Sequence, residues 1–257
     1  MRIDTVLGPS EFAGLAERDL SGTVSVVFDI LRATSTMIAA LEGGARDIRP
    51  VREISEALAW KARDPEVLLA GERNGLRILA AQTGSIDFDL GNSPREFTPE
   101  RVAGRAIVMT TTNGTRALAA CAHAQRVIPA AFSNLEATVD HLEALKPDRL
   151  LLVCAGTIEE PAYEDILAAG AACEKLIARS IEVDLSDATA MAWQAFHFTR
   201  GDLFGAMRFS KNGKRLLSQP ELEGDVPVCL RETGSRLVVA MQSGLVRVAA
   251  GRERGIK

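Results

Sequence analysis

Residues 24–51 read VSVVFDILRATSTMIAALEGGARDIRPV, and residues 106–131 read AIVMTTTNGTRALAACAHAQRVIPAA. Each begins with an apolar run of strand length, enters a threonine-rich turn and continues as an Ala-rich helical pattern. A brief second strand then closes near a proline, Pro50 or Pro129. The continuations are also alike. Residues 52–75 and 132–157 each supply an amphipathic helix, a break at Asp-Pro or Lys-Pro-Asp, and a third apolar strand. The pattern predicts one βαβαβ unit used twice, as pseudo-repeat lobes over about residues 20–100 and 101–180, by the alternation rule for α/β folds. The fold class expected is α/β: a layered α/β/α arrangement with a largely parallel or mixed sheet, residues 1–257 forming a single domain.

Residues 80–100, AAQTGSIDFDLGNSPREFTPE, have no clear period and read as an excursion. Helices are expected over 166–177 and about 186–198. Residues 201–217, GDLFGAMRFSKNGKRLL, read as a further helix with a turn at Asn212-Gly213, and residues 236–251 as two short strands around a Ser-Gly turn.

The bulk composition narrows the function classes. The chain has 257 residues, is 47% hydrophobic and 25% charged, and carries a net charge of -4. A whole-molecule attraction to nucleic acid or anionic membrane is excluded, so an anionic ligand must be drawn by a local field. No apolar run approaches transmembrane length, and the N-terminus lacks the basic-then-apolar order of a signal peptide. Cys121, Cys154, Cys173 and Cys229 have no zinc spacing and read as reduced cytoplasmic thiols. His123, His141 and His197 are scattered, which argues against histidine-cluster chemistry.

Parallel sheets bind ligands at the carboxyl ends of their strands. Four predicted strand ends carry polar residues: Asp29 with ILRATST, GERNG after Leu69, TTTNGTR after Met109, and CAGT after Val153. In TTTNGTR, Gly114 at a helix start admits a ligand to the backbone. Thr111, Thr112, Asn113 and Thr115 add donors, and Arg116 adds a planar cation suited to phosphate, carboxylate or sulfonate. One threonine would suffice for a helix cap, so the stretch favours an anion site. DILRATST repeats the layout, with Arg32, Thr34 and Ser35, and adds Asp29. That residue reads equally as a turn cap and as a metal ligand or nucleophile.

In GERNG, Glu72 and Arg73 would point to opposite faces of a strand but could share a pocket from a loop. Glu164 and Asp165 fall in a first helical turn, where acids also complement the macrodipole. Cys154 lacks a following arginine and reads as packing, as does His197 among aromatics. Asp29, Glu72, Glu164 and Asp165 are the candidate ligands of a Mg²⁺ ion, since oxygen-only donors suit it. Asp29, Glu72 and Arg116 are the candidate catalytic residues, and phosphate-ester chemistry is the natural reading.

The chain resembles the 2-phosphosulfolactate phosphatases of coenzyme M biosynthesis. The resemblance rests on FDILRATST, GERNGLRI, FDLGNSPREF, TTTNGTRA, CAGT and YEDILAAG, taken in this order, and covers most of the chain. It implies a Mg²⁺-dependent acid phosphatase, a homodimer, and hydrolysis of 2-phospho-3-sulfolactate to 3-sulfolactate. It also adds Asn92, Ser93 and Gly156 to the substrate-contacting set. The substrate carries three anionic groups, and Arg32, Arg73 and Arg116 are the candidate partners. Residues 79–87, LAAQTGSID, are longer than the family segment. A non-catalytic binding module for an anionic metabolite, a mutase with the same cradle, and a phosphatase for another phosphorylated 2-hydroxy acid are the competing readings.

Overall fold

The computed structural model describes residues 1–179 and 182–249. Its strands are β1 (Arg2–Val6), β2 (Thr23–Phe28), β3 (Asp47–Pro50), β4 (Leu68–Arg73), β5 (Leu76–Arg77), β6 (Ala106–Thr110), β7 (Arg126–Ala130), β8 (Arg149–Cys154), β9 (Asp184–Leu185), β10 (Val239–Gln242) and β11 (Leu245–Val248). They pair in the order β5-β4-β6-β3-β11-β10-β7-β2-β8-β1-β9. All six residues of β2 are buried, as expected of a central strand covered on both faces, which is why its sequence is an apolar run rather than an alternation.

Both βαβαβ units form, but they are interlocked. The first unit supplies β2, β3 and β4, and the second β6, β7 and β8. β2 lies between β7 and β8, while β6 lies between β3 and β4. Each unit therefore places its first strand inside the other's half-sheet. The halves run in opposite senses, because β7/β10, β10/β11 and β11/β3 are each antiparallel. The β10–β11 hairpin turns at Ser243-Gly244 as the sequence predicts. It joins the halves through one residue pair on each side, Met241 with Val127 and Val246 with Ile48.

The helix Ala33–Glu42 is buried nearly all round, since it packs against β7, β11 and the helical segments that begin at Pro94, Gly114 and Phe132. Helices Tyr163–Ala178 and Asp187–Thr199 correspond to the predicted segments, with Ser186 as the N-cap of the second, and pack closely. A Cβ on Gly170 would collide with the Ala192 carbonyl oxygen, so glycine is required there by backbone approach. The predicted turn at Asn212-Gly213 is instead the first turn of the helix Lys211–Leu217. Ser210 caps this helix by accepting the Gly213 N–H, so the break falls before Lys211, after the short helix Leu203–Ala206.

GERNG proves to be the end of β4 and a two-residue hairpin turn into β5. Asn74 and Gly75 both have positive φ, the conformation for which Asn-Gly is the favoured pair. Residues 79–87 contain the short helix Ala80–Thr83 and line neither of the cavities described below.

Candidate active site

The carboxyl ends of β2 and β8 from one half, and of β4 and β6 from the other, converge on one cavity of about 190 Å³. Its walls include Asp29, Glu72, Gly75, Asn92, Thr111 and Thr112. The volume lies below the ~300–1,000 Å³ of pockets for drug-sized ligands, so the inner site suits a small metabolite. A second cavity of about 410 Å³ adjoins it across Arg32, Gly75 and Asn92.

Asp29 directly follows β2 and is only 6% exposed. Its Oδ1 accepts the Ala33 N–H at 3.0 Å, and its backbone is fixed by Thr34, whose hydroxyl accepts the Asp29 N–H and donates to the Asp29 carbonyl. Oδ2 accepts no hydrogen bond among the described residues. It lies beside Gly114, where a Cβ would fall 2.7 Å from Oδ2 and 2.6 Å from the Ala33 Cβ. Gly114 thus makes room for a carboxylate and for the start of the neighbouring helix. Burial, with Glu72 and Glu164 nearby, raises the pKa of the Asp29 carboxyl to about 7 against the favourable Ala33 amide and Arg32.

Glu72 is the inward-facing member of the Glu72–Arg73 pair. Its Oε1 accepts the Thr112 N–H at 2.8 Å and the Thr112 hydroxyl at 2.9 Å, and Oε2 accepts the Gly75 N–H at 2.7 Å. The two half-motifs of β4 and β6 are therefore tied together by one carboxylate. Arg73 turns the other way and donates to the carbonyls of Glu72 and Arg52 and to Thr110 Oγ1. The strand alternation separates the two residues, and Arg73 does not line the cavity.

Glu164 and Asp165 are fully enclosed and lie outside the cavity lining. Glu164 accepts from Ser210 Oγ at 2.6 Å and from Asn212 Nδ2 at 3.0 Å. Asp165 accepts the Ile30 N–H at 2.8 Å and the Gly156 N–H at 3.0 Å, which holds the loops after β2 and β8 together. Burial, then the charges of Glu164 and Asp29, push the Asp165 carboxyl well above the usual carboxylate range despite those two amides. Among the described residues, no group of three or more His, Cys, Asp or Glu side chains is gathered as a metal cage.

The threonines of TTTNGTR are all partnered within the protein. Thr110 donates to Arg52 O, Thr111 Oγ1 accepts the Thr115 N–H, Thr112 serves Glu72, and the Thr115 hydroxyl donates to Thr111 O. Asn113 accepts the Ile158 N–H. Arg116 is directed to the surface, pairing with Glu159 at 2.9 Å and donating to Ile158 O. Ser35 bonds back to Ile30 O.

Arg32 is buried, with Nη1 2.6 Å from Asp225 Oδ2 and Nη2 2.5 Å from Gly75 O. Asp225 also takes the Ser93 hydroxyl and the Arg95 Nε. Asn92 lines the cavity, and its Oδ1 is buried without a partner among the described residues. Asp225 and Arg215 are site-region residues that sequence reasoning misses. Asp225 lies 193 positions from Arg32 with no local motif, while the QPELEGDVPVCL segment carries the one weak signal.

The strand ends thus bring two acids, Asp29 and Glu72, and an open carboxylate oxygen onto a small polar cavity suited to a small-molecule ligand. The sequence comparisons identify the class. Residues 12–244 match the family described as 2-phosphosulpholactate phosphatase. A protein of Caldicellulosiruptor saccharolyticus named probable 2-phosphosulfolactate phosphatase is 37% identical over 87% of this chain and 90% of its own length. Proteins of the same name from Thermotoga petrophila and Deinococcus radiodurans are each 39% identical over 86% of this chain, and over 90% and 88% of their own lengths. The chain belongs to the 2-phosphosulfolactate phosphatase family and is a phosphatase, a phosphoric monoester hydrolase.

Proposed function

We propose that the protein is a Mg²⁺-dependent phosphatase that hydrolyses the phosphate ester of a small 2-hydroxy acid, 2-phospho-3-sulfolactate, to 3-sulfolactate and phosphate. The observation that carries this reading is Asp29 Oδ2: the open oxygen of a largely buried carboxylate, without a donor among the described residues, on the wall of a metabolite-sized cavity. The residues fit the ion. Asp29 uses one of its roughly four acceptor positions and Glu72 three, so both retain capacity toward the cavity, and the acids around Asp29 repel one another until a cation is present. Asp29 and Glu72 would hold the ion, while Glu164 and Asp165 orient the elements around it. When bound, Mg²⁺ supplies charge neutralisation on phosphoryl oxygens.

The chain's own residues then bind and orient. Asn92 offers a polar side chain to the ligand, Glu72 fixes the turns after β4 and β6 relative to each other, and Arg32, from the loop after β2, ties the other half to Gly75. Attack is by water: the new P–O bond comes from water, the bond to the C2 oxygen breaks, and the alcohol leaves with a proton. Cys154 is unsuited to act as nucleophile, because burial, followed by the Asp165, Glu11 and Glu164 charges, pushes its thiol well above the ordinary range.

Phosphate release from a panel of phosphorylated 2-hydroxy acids, with Mg²⁺ and with EDTA, tests the reading. Release that EDTA abolishes and Asp29→Asn removes is expected. No release from any ester, with retained binding of the same compounds, would replace the enzyme by a binding module. The reading also includes a cytoplasmic location, supported by four buried, unpaired cysteines. Among the described residues, no helix is long and apolar enough to cross a membrane. A homodimer completes the reading, and sedimentation of the purified protein measures it.

A further inference from the structure

The three arginines that the sequence nominates are all engaged: Arg32 with Asp225, Arg73 with backbone carbonyls, and Arg116 with Glu159. Arg215 differs. It lines the same cavity as Asp29 and Glu72, and no carboxylate among the described residues pairs with it. Its one side-chain hydrogen bond runs from Nη2 to the neutral Asn212 Oδ1 at 3.3 Å.

Its position is built from several sides. Ser210 caps the helix Lys211–Leu217 and also donates to Glu164, while Asn212 donates to both Glu164 and Thr157. The helix is thereby fastened to the acids behind the cavity. Against the guanidinium lies Gly75, where a Cβ would sit 2.9 Å from Nη1. Gly75 is itself held by Glu72 through its N–H and by Arg32 through its carbonyl. A bare stretch of backbone, clamped at both ends, gives the guanidinium its place. An independent observation also points to an anionic ligand here: in the same cavity wall, Asn92 is 5% exposed and its side-chain amide has no partner among the described residues, which leaves Nδ2 as a donor for an oxyanion.

We propose that Arg215 is the specificity-determining residue of this site, binding the carboxylate or sulfonate of the substrate rather than the phosphoryl group that is transferred. This rests on the phosphatase reading above. Asp29 and Glu72 would hold the cation that neutralises the phosphoryl group, whereas Arg215 offers a planar two-donor edge that matches a second, non-reacting oxyanion. The site would then select phosphate monoesters that carry an acid group beside the ester, and discriminate against those of neutral alcohols.

The test compares kcat/KM for phosphoglycolate with that for ethyl phosphate, in the parent, Arg215→Gln and Arg215→Lys, all in Mg²⁺. Arg215→Gln should lower the ratio of the two by ~10–100-fold, chiefly by raising KM toward phosphoglycolate, and Arg215→Lys should restore part of it. An unchanged ratio, or an equal loss on both esters, would overturn the proposal. Calorimetric titration with sulfoacetate, which has no phosphate, separates this proposal from the phosphatase reading. Binding by the parent that Arg215→Gln abolishes, with no ester hydrolysed, would sink the phosphatase reading and leave Arg215 standing. A parent that does not bind sulfoacetate, or a variant that binds it equally, overturns the role of Arg215. Thermal denaturation of both variants at the parent's midpoint confirms that the fold is intact.

Discussion

Replacing Asp29 by Asn should stabilise the metal-free protein while it removes activity. Asp29 rises from an ordinary 3.8 to about 7 because burial and neighbouring carboxylates oppose its charge. A shift of roughly three units corresponds to about 4 kcal/mol at ~1.36 kcal/mol per unit, taken as a ceiling because neighbouring acids share the repulsion. The sign follows from proton counting. Between about pH 4 and pH 7 the unfolded chain has lost this proton and the folded chain retains it, so stability falls as pH rises. The loss is complete above about pH 7. Asn keeps an oxygen for the Ala33 N–H and carries no charge, so it escapes the penalty.

The expected gain at pH 8 in EDTA is about 1–3 kcal/mol, or roughly 3–10 °C in Tm for a chain of this size. The gain should shrink toward zero near pH 4. Adding Mg²⁺ should raise the Tm of the parent and leave that of the variant nearly unmoved, because ligand binding to the folded state alone is stabilising. Thermal denaturation at pH 4, 6 and 8, with EDTA or Mg²⁺, gives every number required. An Asp29→Asn protein no more stable than its parent at pH 8 in EDTA would refute the account of Asp29 as a strained, charge-opposed carboxylate.

Gly114→Ala should lower kcat/KM by at least ~10-fold with a modest loss of stability, since its Cβ meets Asp29 Oδ2 and the Ala33 Cβ; steady-state kinetics check this. Arg116→Ala should stay within a few-fold of parental activity, because an exposed pair with Glu159 is worth only ~0–1 kcal/mol; a loss of ~100-fold would place Arg116 on the substrate. Cys154→Ser should leave turnover within a few-fold, and rapid-quench labelling with radioactive phosphate should trap no phosphoenzyme. Acid-stable label on Cys154, or hydroxylamine-labile label on Asp29, would overturn attack by water. Gly170→Ala should destabilise by about 1–3 kcal/mol or more, read by urea denaturation, because its Cβ meets the Ala192 carbonyl oxygen on the adjacent helix.

The sequence alone determined the elements and the places where chemistry could sit. Apolar runs such as Thr23–Phe28 are long enough for strands and too unbroken for half-exposed ones, so the α/β class and the twofold βαβαβ pattern were legible from period and punctuation. Asp29 and Glu72 were legible too, as polar residues at strand ends that packing does not call for. Tertiary structure decided how these pieces meet. Nothing local in β2 or β6 says that each inserts into the other unit's half-sheet, because strand order is set by long-range pairing and burial. The direction of Glu72 and Arg73 hung on whether β4 ran on through both residues; it does, and the pleat sends them apart. The pairing of the arginines was likewise invisible. Arg32 is neutralised by Asp225 from the far end of the chain, and Arg215 is left facing the cavity. Both outcomes depend on which side chains come within about 3 Å, a distance that sequence separation does not encode.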